Sequence, residues 1–147
     1  MIIDAKDQVL GRMCAYAAKQ ALLGEYIIIV NAEKAIITGT KDTILKNYMA
    51  KLKIQNKGNY LDGPFHQKRP DKFLRKAIRG MLPYKKDRGR QAYKKIQVYI
   101  GVPKAEIEEK HKIKVTDKEL KDQVHAKTNV DQYMTVGNVC RYMGGKW

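Results

Sequence analysis

From Val9 to Leu23 apolar side chains recur at helical spacing, at Leu10, Met13, Cys14, Ala17, Ala18, Ala21 and Leu22. That period predicts an amphipathic helix, and Gly24 stands where it would stop. The many alanines predict close packing onto a sheet. Ahead of it, Ile2 and Ile3 predict a short strand, with Asp4 and Asp7 as candidate caps. Tyr26 to Val30 is β-branched at most positions and has no polar alternation. That pattern predicts a strand covered on both faces, as in parallel sheets. Asn31-Ala32-Glu33-Lys34 reads as the exit from this strand, and Ala35-Ile36-Ile37 as a further short extended piece. Thr40 is placed to cap a second helix carrying Ile44, Leu45, Tyr48, Met49 and Leu52. Ile96 to Ile100 predicts a later strand returning to the sheet. Strand, helix, strand, helix in this order predicts a layered α/β domain with a mainly parallel sheet.

The stretch Pro70 to Pro83 carries the sharpest pattern. Asp71 is placed to cap a helix, and Pro83 cannot continue one. At about 100° per residue, Lys72, Arg75, Lys76 and Arg79 share about 100° of arc. Phe73, Leu74, Ala77, Ile78, Met81 and Leu82 take the other side. A solvated helix face normally mixes signs, because like charges four apart cost stability. A purely cationic face calls for an anion outside the chain.

Further on, residues 104–125 mix charges densely with little apolar content and predict a solvated, partly helical appendage. Glu108 and Lys112 are spaced to pair there, and Thr116 and Glu119 have capping-box spacing ahead of Leu120 and Val124. From Thr135 to Trp147, Val136, Val139, Cys140 and Met143 predict a small helix docking back on the body. The whole reads as one domain over residues 1–147, an α/β core at 1–103 and a charged extension at 104–147.

Charge gives these elements a purpose. The chain of 147 residues has a formal net charge of +15 and is 44% hydrophobic, enough apolar content for a true core. Residues 59–104 hold 13 basic and 3 acidic side chains, so two thirds of the surplus falls in the middle third of the chain. Lys68 and Arg69 precede the cationic helix, and Lys85, Lys86, Arg88, Arg90, Lys94 and Lys95 follow it. Glycine beside arginine, as in Arg88-Gly89-Arg90, lets backbone approach a phosphate, and the arginine fork can bridge its oxygens. Tyr84 and Tyr93 fit stacking on bases and packing beside a buried strand equally well. A polyanion is the expected partner. RNA is favoured over a groove-read DNA, because the helix offers only Lys and Arg and so suits backbone contact.

Other classes fit less well. No apolar run, Tyr26 to Val30 among them, comes near the ~20 residues of a membrane span. An acid, Asp4, sits where a signal peptide would be basic. Cys14 and Cys140 form no paired motif, which points to a reducing cytoplasm with both thiols free. Gly39-Thr40-Lys41 lacks the earlier glycine of a phosphate loop, and no dinucleotide fingerprint follows either strand. His66, His111 and His125 lack metal spacing. Gly63-Pro64-Phe65-His66 reads as a turn, and His66 as a poor choice for a base or ligand. Neither cofactor nor metal is implied. A small RNA-processing or nucleotide-binding α/β enzyme stays as the alternative. It would need acids or histidines converging at strand ends.

Several motifs in order resemble one family. They are Val9-Leu10-Gly11-Arg12, Val30-Asn31-Ala32-Glu33-Lys34, Gly63-Pro64-Phe65-His66, Ile78-Arg79-Gly80-Met81-Leu82-Pro83 and Val98-Tyr99-Ile100-Gly101-Val102-Pro103. Over residues 1–103 the chain resembles the ribosomal large-subunit protein L-thirteen family, in its archaeal and eukaryotic form. The resemblance implies a three-layer α/β/α sandwich around a mainly parallel four-stranded sheet, with basic loops and a helical carboxy-terminal extension. It also implies binding to large-subunit ribosomal RNA beside neighbouring ribosomal proteins, an assembly role in the cytoplasmic ribosome, and no catalysis. Arg12, in the first motif, joins the RNA-binding candidates. Lys68 departs from the arginine more usual there, which keeps the charge and loses the bidentate fork.

Overall fold

The computed structural model describes residues 1–59, 61–113 and 131–147. Strand β1 (Ile2–Asp4) leads to helix α1 (Leu10–Leu23), which ends at Gly24, and then to β2 (Ile27–Val30). β2 lies between β1 and β4 (Ile96–Val98), parallel to both, so both its edges are paired. Its four residues are all buried, as the unbroken apolar run predicts.

Alternation then divides the core. Ile3, Ile27, Ile29 and Ile96 face one side, where Met13, Cys14, Ala17 and Ala21 of α1 pack with Leu74 and Ile78 of α3 (Pro70–Met81). Ile2, Ile28 and Val30 face the other side and meet Ile107 of α5 (Lys104–His111). Ile107 is 0% exposed. The described part of the expected solvated appendage, α5, therefore covers a sheet face. One apolar residue among charges gives no period, and its burial depends on a surface built elsewhere in the chain.

The expected four-stranded sheet needs correction. Among the described residues the parallel sheet has three strands, and a separate two-stranded ladder lies beside it. The cause lies at the exit from β2. Asn31 takes a left-handed conformation (φ 55°) and its side-chain amide donates to Asp4 at 2.8 Å. A 3₁₀ turn, Ala32–Lys34, follows. It turns the chain off the sheet, so β3 (Ile36–Thr38) pairs antiparallel with β5 (Tyr133–Thr135). A single parallel bridge, Val9 to Ile36, joins β3 to the segment before α1.

Smaller differences are local. Helix α2 (Lys41–Lys53) starts after Thr40 as predicted, with Thr40 Oγ1 hydrogen-bonded to Thr43 Oγ1 at 2.7 Å. The cap of α3 is Arg69, not Asp71; Pro70, with its fixed φ and no N–H to satisfy, takes the first helical position. Asp71 falls in the first turn, where a carboxylate favours the helix dipole. The strand expected to reach Ile100 ends at Val98. In α5 the observed ion pair joins Lys110 to Glu106, because Lys112 has already left the helix at φ 57°. The final helix is α6 (Val136–Tyr142), capped by Thr135 Oγ1, which accepts from Asn138 N at 3.3 Å. Thr116, Glu119, Leu120 and Val124, with the capping box expected there, lie outside the described residues. No helix among the described residues is long and apolar enough to cross a membrane.

Candidate nucleic-acid interface

Helix α3 buries Leu74 and Ile78 at 0% exposure, and that seat fixes where its cations point. Burying two such side chains is worth about 1.5–3 kcal/mol each, well above the few tenths that each like-charge pair costs. Lys72, Lys76 and Arg79 are exposed and Arg75 is half-buried. With Gln67 and Tyr93 they line a cleft of about 330 Å³ that has no acid and no histidine among its described lining residues.

The tyrosines resolve into a ladder. The guanidinium of Arg75 lies 4.7 Å from the ring centre of Tyr93, and that of Arg79 lies 4.6 Å from Tyr84. The two rings meet edge to face at 5.3 Å. A guanidinium over a ring gains about 0.5–1 kcal/mol at an exposed site and keeps its edge N–H groups free. Tyr84 and Tyr93 are thus platforms for arginines. Of the two roles expected for them, core packing describes Tyr93, which also packs against the main core.

Tyr93 is positioned by an element the sequence concealed. Residues 84–95 read only as a basic flank to the cationic helix, and Asp87–Lys94 form helix α4. Gly89 makes this closure possible. A Cβ there would lie 2.2 Å from the Pro83 carbonyl oxygen, so only glycine lets α4 fold back on the end of α3. The glycine expected to admit a phosphate admits backbone instead. Arg90 and Lys94, four apart, share the exposed face of α4, and Arg90 is paired with Asp87. Lys85 and Lys86 sit exposed on the turn between α3 and α4.

Other candidates lie apart from the cleft. Arg88 turns toward α1, lining a groove with Lys19, Leu23 and Met81. Arg12 is on the Lys19 face of α1, seven residues away. Lys95 is engaged elsewhere: its ammonium donates to the Gly24 carbonyl at 2.8 Å and lies over Tyr26 at 5.4 Å. There it closes the carboxyl end of α1, a favourable site for a cation. Arg69 Nε lies 3.3 Å from Asp71 Oδ1. The Lys68 backbone packs closely against Gly145, where a Cβ would approach the Lys68 carbonyl oxygen to 2.2 Å. Sequence reading missed Lys19 and Gln67; the seven-residue spacing from Arg12 could have found the first.

Neither thiol enters this surface. Burial pushes Cys14 and Cys140 up to about 12, with Asp71 adding to the rise at Cys140, and both are free thiols in the core. Among the described residues no group of three or more His, Cys, Asp or Glu could hold a metal. His66 Nε2 lies 3.2 Å from the Ile54 carbonyl oxygen and serves the loop before α3.

Residues 1–105 match the family described as Ribosomal protein L13. A protein named large ribosomal subunit protein uL13 from Methanocaldococcus jannaschii is 39% identical over 147 residues, covering 99% of this chain and 98% of the relative. Its counterpart from Methanosarcina barkeri is 42% identical over 147 residues, covering 99% of each. That from Methanopyrus kandleri is 47% identical over 103 residues, covering 70% of this chain and 63% of the relative. The basic cleft, the parallel core that holds it and these archaeal relatives converge: the chain belongs to the ribosomal protein L13 family.

Proposed function

We propose that this chain is a structural constituent of the large ribosomal subunit. It holds large-subunit ribosomal RNA on the exposed faces of α3 and α4 and supports assembly of the subunit in the cytoplasm, beside neighbouring ribosomal proteins. The cleft carries this reading. Four cations line it, with no acid or histidine among the described lining residues, and the guanidinium groups of two of them lie over tyrosine rings. Such a surface neutralises several phosphates at once and fixes register on a backbone. Lys85, Lys86, Arg90, Lys94, Lys68 and Arg69 extend it at both ends of α3, and Arg12 and Arg88 form a second basic strip along α1. The alternative, an RNA-processing enzyme, gains little from a cleft whose described lining holds neither a carboxylate nor an imidazole. Sedimentation of a cell extract with immunodetection of this chain is the test. Co-migration with the large subunit is expected; a pool that is free throughout the gradient overturns the reading.

A further inference from the structure

A second cavity adjoins the cleft. It holds about 210 Å³ between α2 and α3, with walls from Tyr48, Leu52, Phe73 and Ala77. Lys51, Lys76, His66 and Gln67 also line it, and no acid does among the described residues. Lys76 and Gln67 line the cationic cleft as well, so the apolar pocket and the cleft share a wall. We propose that this pocket takes a single unpaired base of the RNA whose backbone runs through the cleft. The proposal rests on the RNA reading given above and names what part of the RNA the surface selects.

The physical case has three parts. Pockets for whole ligands run about 300–1,000 Å³, so 210 Å³ suits one planar ring system. The walls suit a π-face: Tyr48 and Phe73 pack tilted with centroids 5.4 Å apart. Unstacked bases of single-stranded RNA are held on such aromatic surfaces. The polar groups suit a base edge: Gln67 has no hydrogen-bond partner among the described residues, and its carboxamide offers both donor and acceptor.

The surroundings select a nucleotide over an apolar side chain of a protein. Lys51 Nζ lies 5.0 Å from the Tyr48 ring centre. Lys76 Nζ donates to the Phe65 carbonyl oxygen at 3.0 Å, tying the Gly63-Pro64-Phe65-His66 loop to α3. Both ammonium groups place positive charge around the pocket, where the phosphates flanking an inserted base would lie. An apolar side chain entering here brings no charge of its own to meet them, whereas every nucleotide carries its phosphate.

The test compares short single-stranded RNA homopolymers of each base with a blunt RNA duplex of equal phosphate number. Ala77→Phe fills the pocket from its α3 wall. It is expected to weaken single-strand binding about tenfold and leave duplex binding unchanged, since one stacked base is lost. Gln67→Leu, on a half-buried residue outside the core, is expected to level the differences among the homopolymers. Arg75→Gln with Arg79→Gln weakens both kinds of RNA. Unchanged single-strand binding in natively folded Ala77→Phe overturns the base pocket. Equal losses on both RNAs also overturn it, because the variant would then act by distorting α3. Release of a neighbouring protein from purified subunits, with RNA binding intact, assigns the pocket to a protein instead. If the double arginine variant binds both RNAs normally, the RNA reading itself fails.

Discussion

Helices α3 and α5 pack on opposite faces of one three-stranded sheet, and their polar sides differ in kind. α3 seats Leu74 and Ile78 and then presents Lys72, Arg75, Lys76 and Arg79 with no acid among them. α5 seats Ile107 and pairs Lys110 with Glu106 along its own surface. A helix that neutralises its own charge gains a few tenths of a kcal/mol per pair; one that stacks like charges loses as much. α3 can bear that loss because its buried side is anchored to α1, β4 and α6. Core packing on one face thus supports an unbalanced surface, while the other face is locally balanced.

The strongest way to break this comparison is to remove its shared premise, that both helices are anchored. Ile107→Ala should cost about 2–5 kcal/mol in chemical denaturation, the range expected of Leu74→Ala on the opposite face. A cost near zero would return α5 to the status of a solvated appendage and leave the sheet with one working face.

That premise marks the limit of what the sequence could tell. α1, β2 and the two sides of α3 were legible because each carries its own period over several residues. Ile107 was not, since one isoleucine among lysines and glutamates has no period. β3 was legible as extended chain but not as part of a separate ladder, because its partner Tyr133–Thr135 lies far along the chain and Asn31 sets the turn. α4 was hidden by Gly89, which breaks a helical pattern by composition yet is what the contact with Pro83 demands. The cations of the site were legible as charge. Their seating on Tyr84 and Tyr93 was not, since it needs α3 and α4 brought together. Lys95 and Arg88 show the converse: counted as one basic run, they part company once the fold separates them.

A second prediction breaks the comparison on its electrostatic side. Arg75→Gln with Arg79→Gln keeps the apolar seat of α3 and should reduce the slope of log affinity against log salt by roughly one to two. Lys110→Gln with Lys112→Gln removes the same charge from the opposite face and should leave RNA affinity nearly unchanged. Filter binding across a salt series reads both. Equal losses would mean that net charge alone attracts RNA and that neither face is a site.

Alkaline titration sharpens the contrast between the core behind α3 and the smaller one behind α5. Cys14 and Cys140 both lie in the larger core, their thiols pushed from 9.0 up to about 12 by burial. The folded state therefore holds the proton that the unfolded chain releases above pH 9. Their contribution is fully present below that value and is lost as pH rises from 9 toward 12. At about pH 10 each thiol should lower stability by about 1.4 kcal/mol relative to neutral pH. Cys14→Ala with Cys140→Ala should flatten that part of the stability–pH curve, at the cost of some core packing and with RNA affinity unchanged to within a few fold. Loss of RNA binding in the folded double variant would show that the thiols are more than core.

The smallest expected effect lies at the end of α5. Lys112 closes this helix with φ 57° and ψ 29°, and its N–H donates to the Glu108 carbonyl at 2.9 Å. A side chain with an ordinary Cβ is strained there, whereas asparagine tolerates the left-handed region and glycine suits it. Lys112→Asn should therefore stabilise the protein by about 0.5–1 kcal/mol. It removes one positive charge from the balanced face and leaves the cleft of α3 untouched. The comparison then makes a joint prediction: stability rises in denaturation while the salt slope for RNA keeps its value. A fall in RNA affinity from this variant would place the end of α5 within reach of the RNA. The division of labour between the two faces would then be wrong, even with the fold intact.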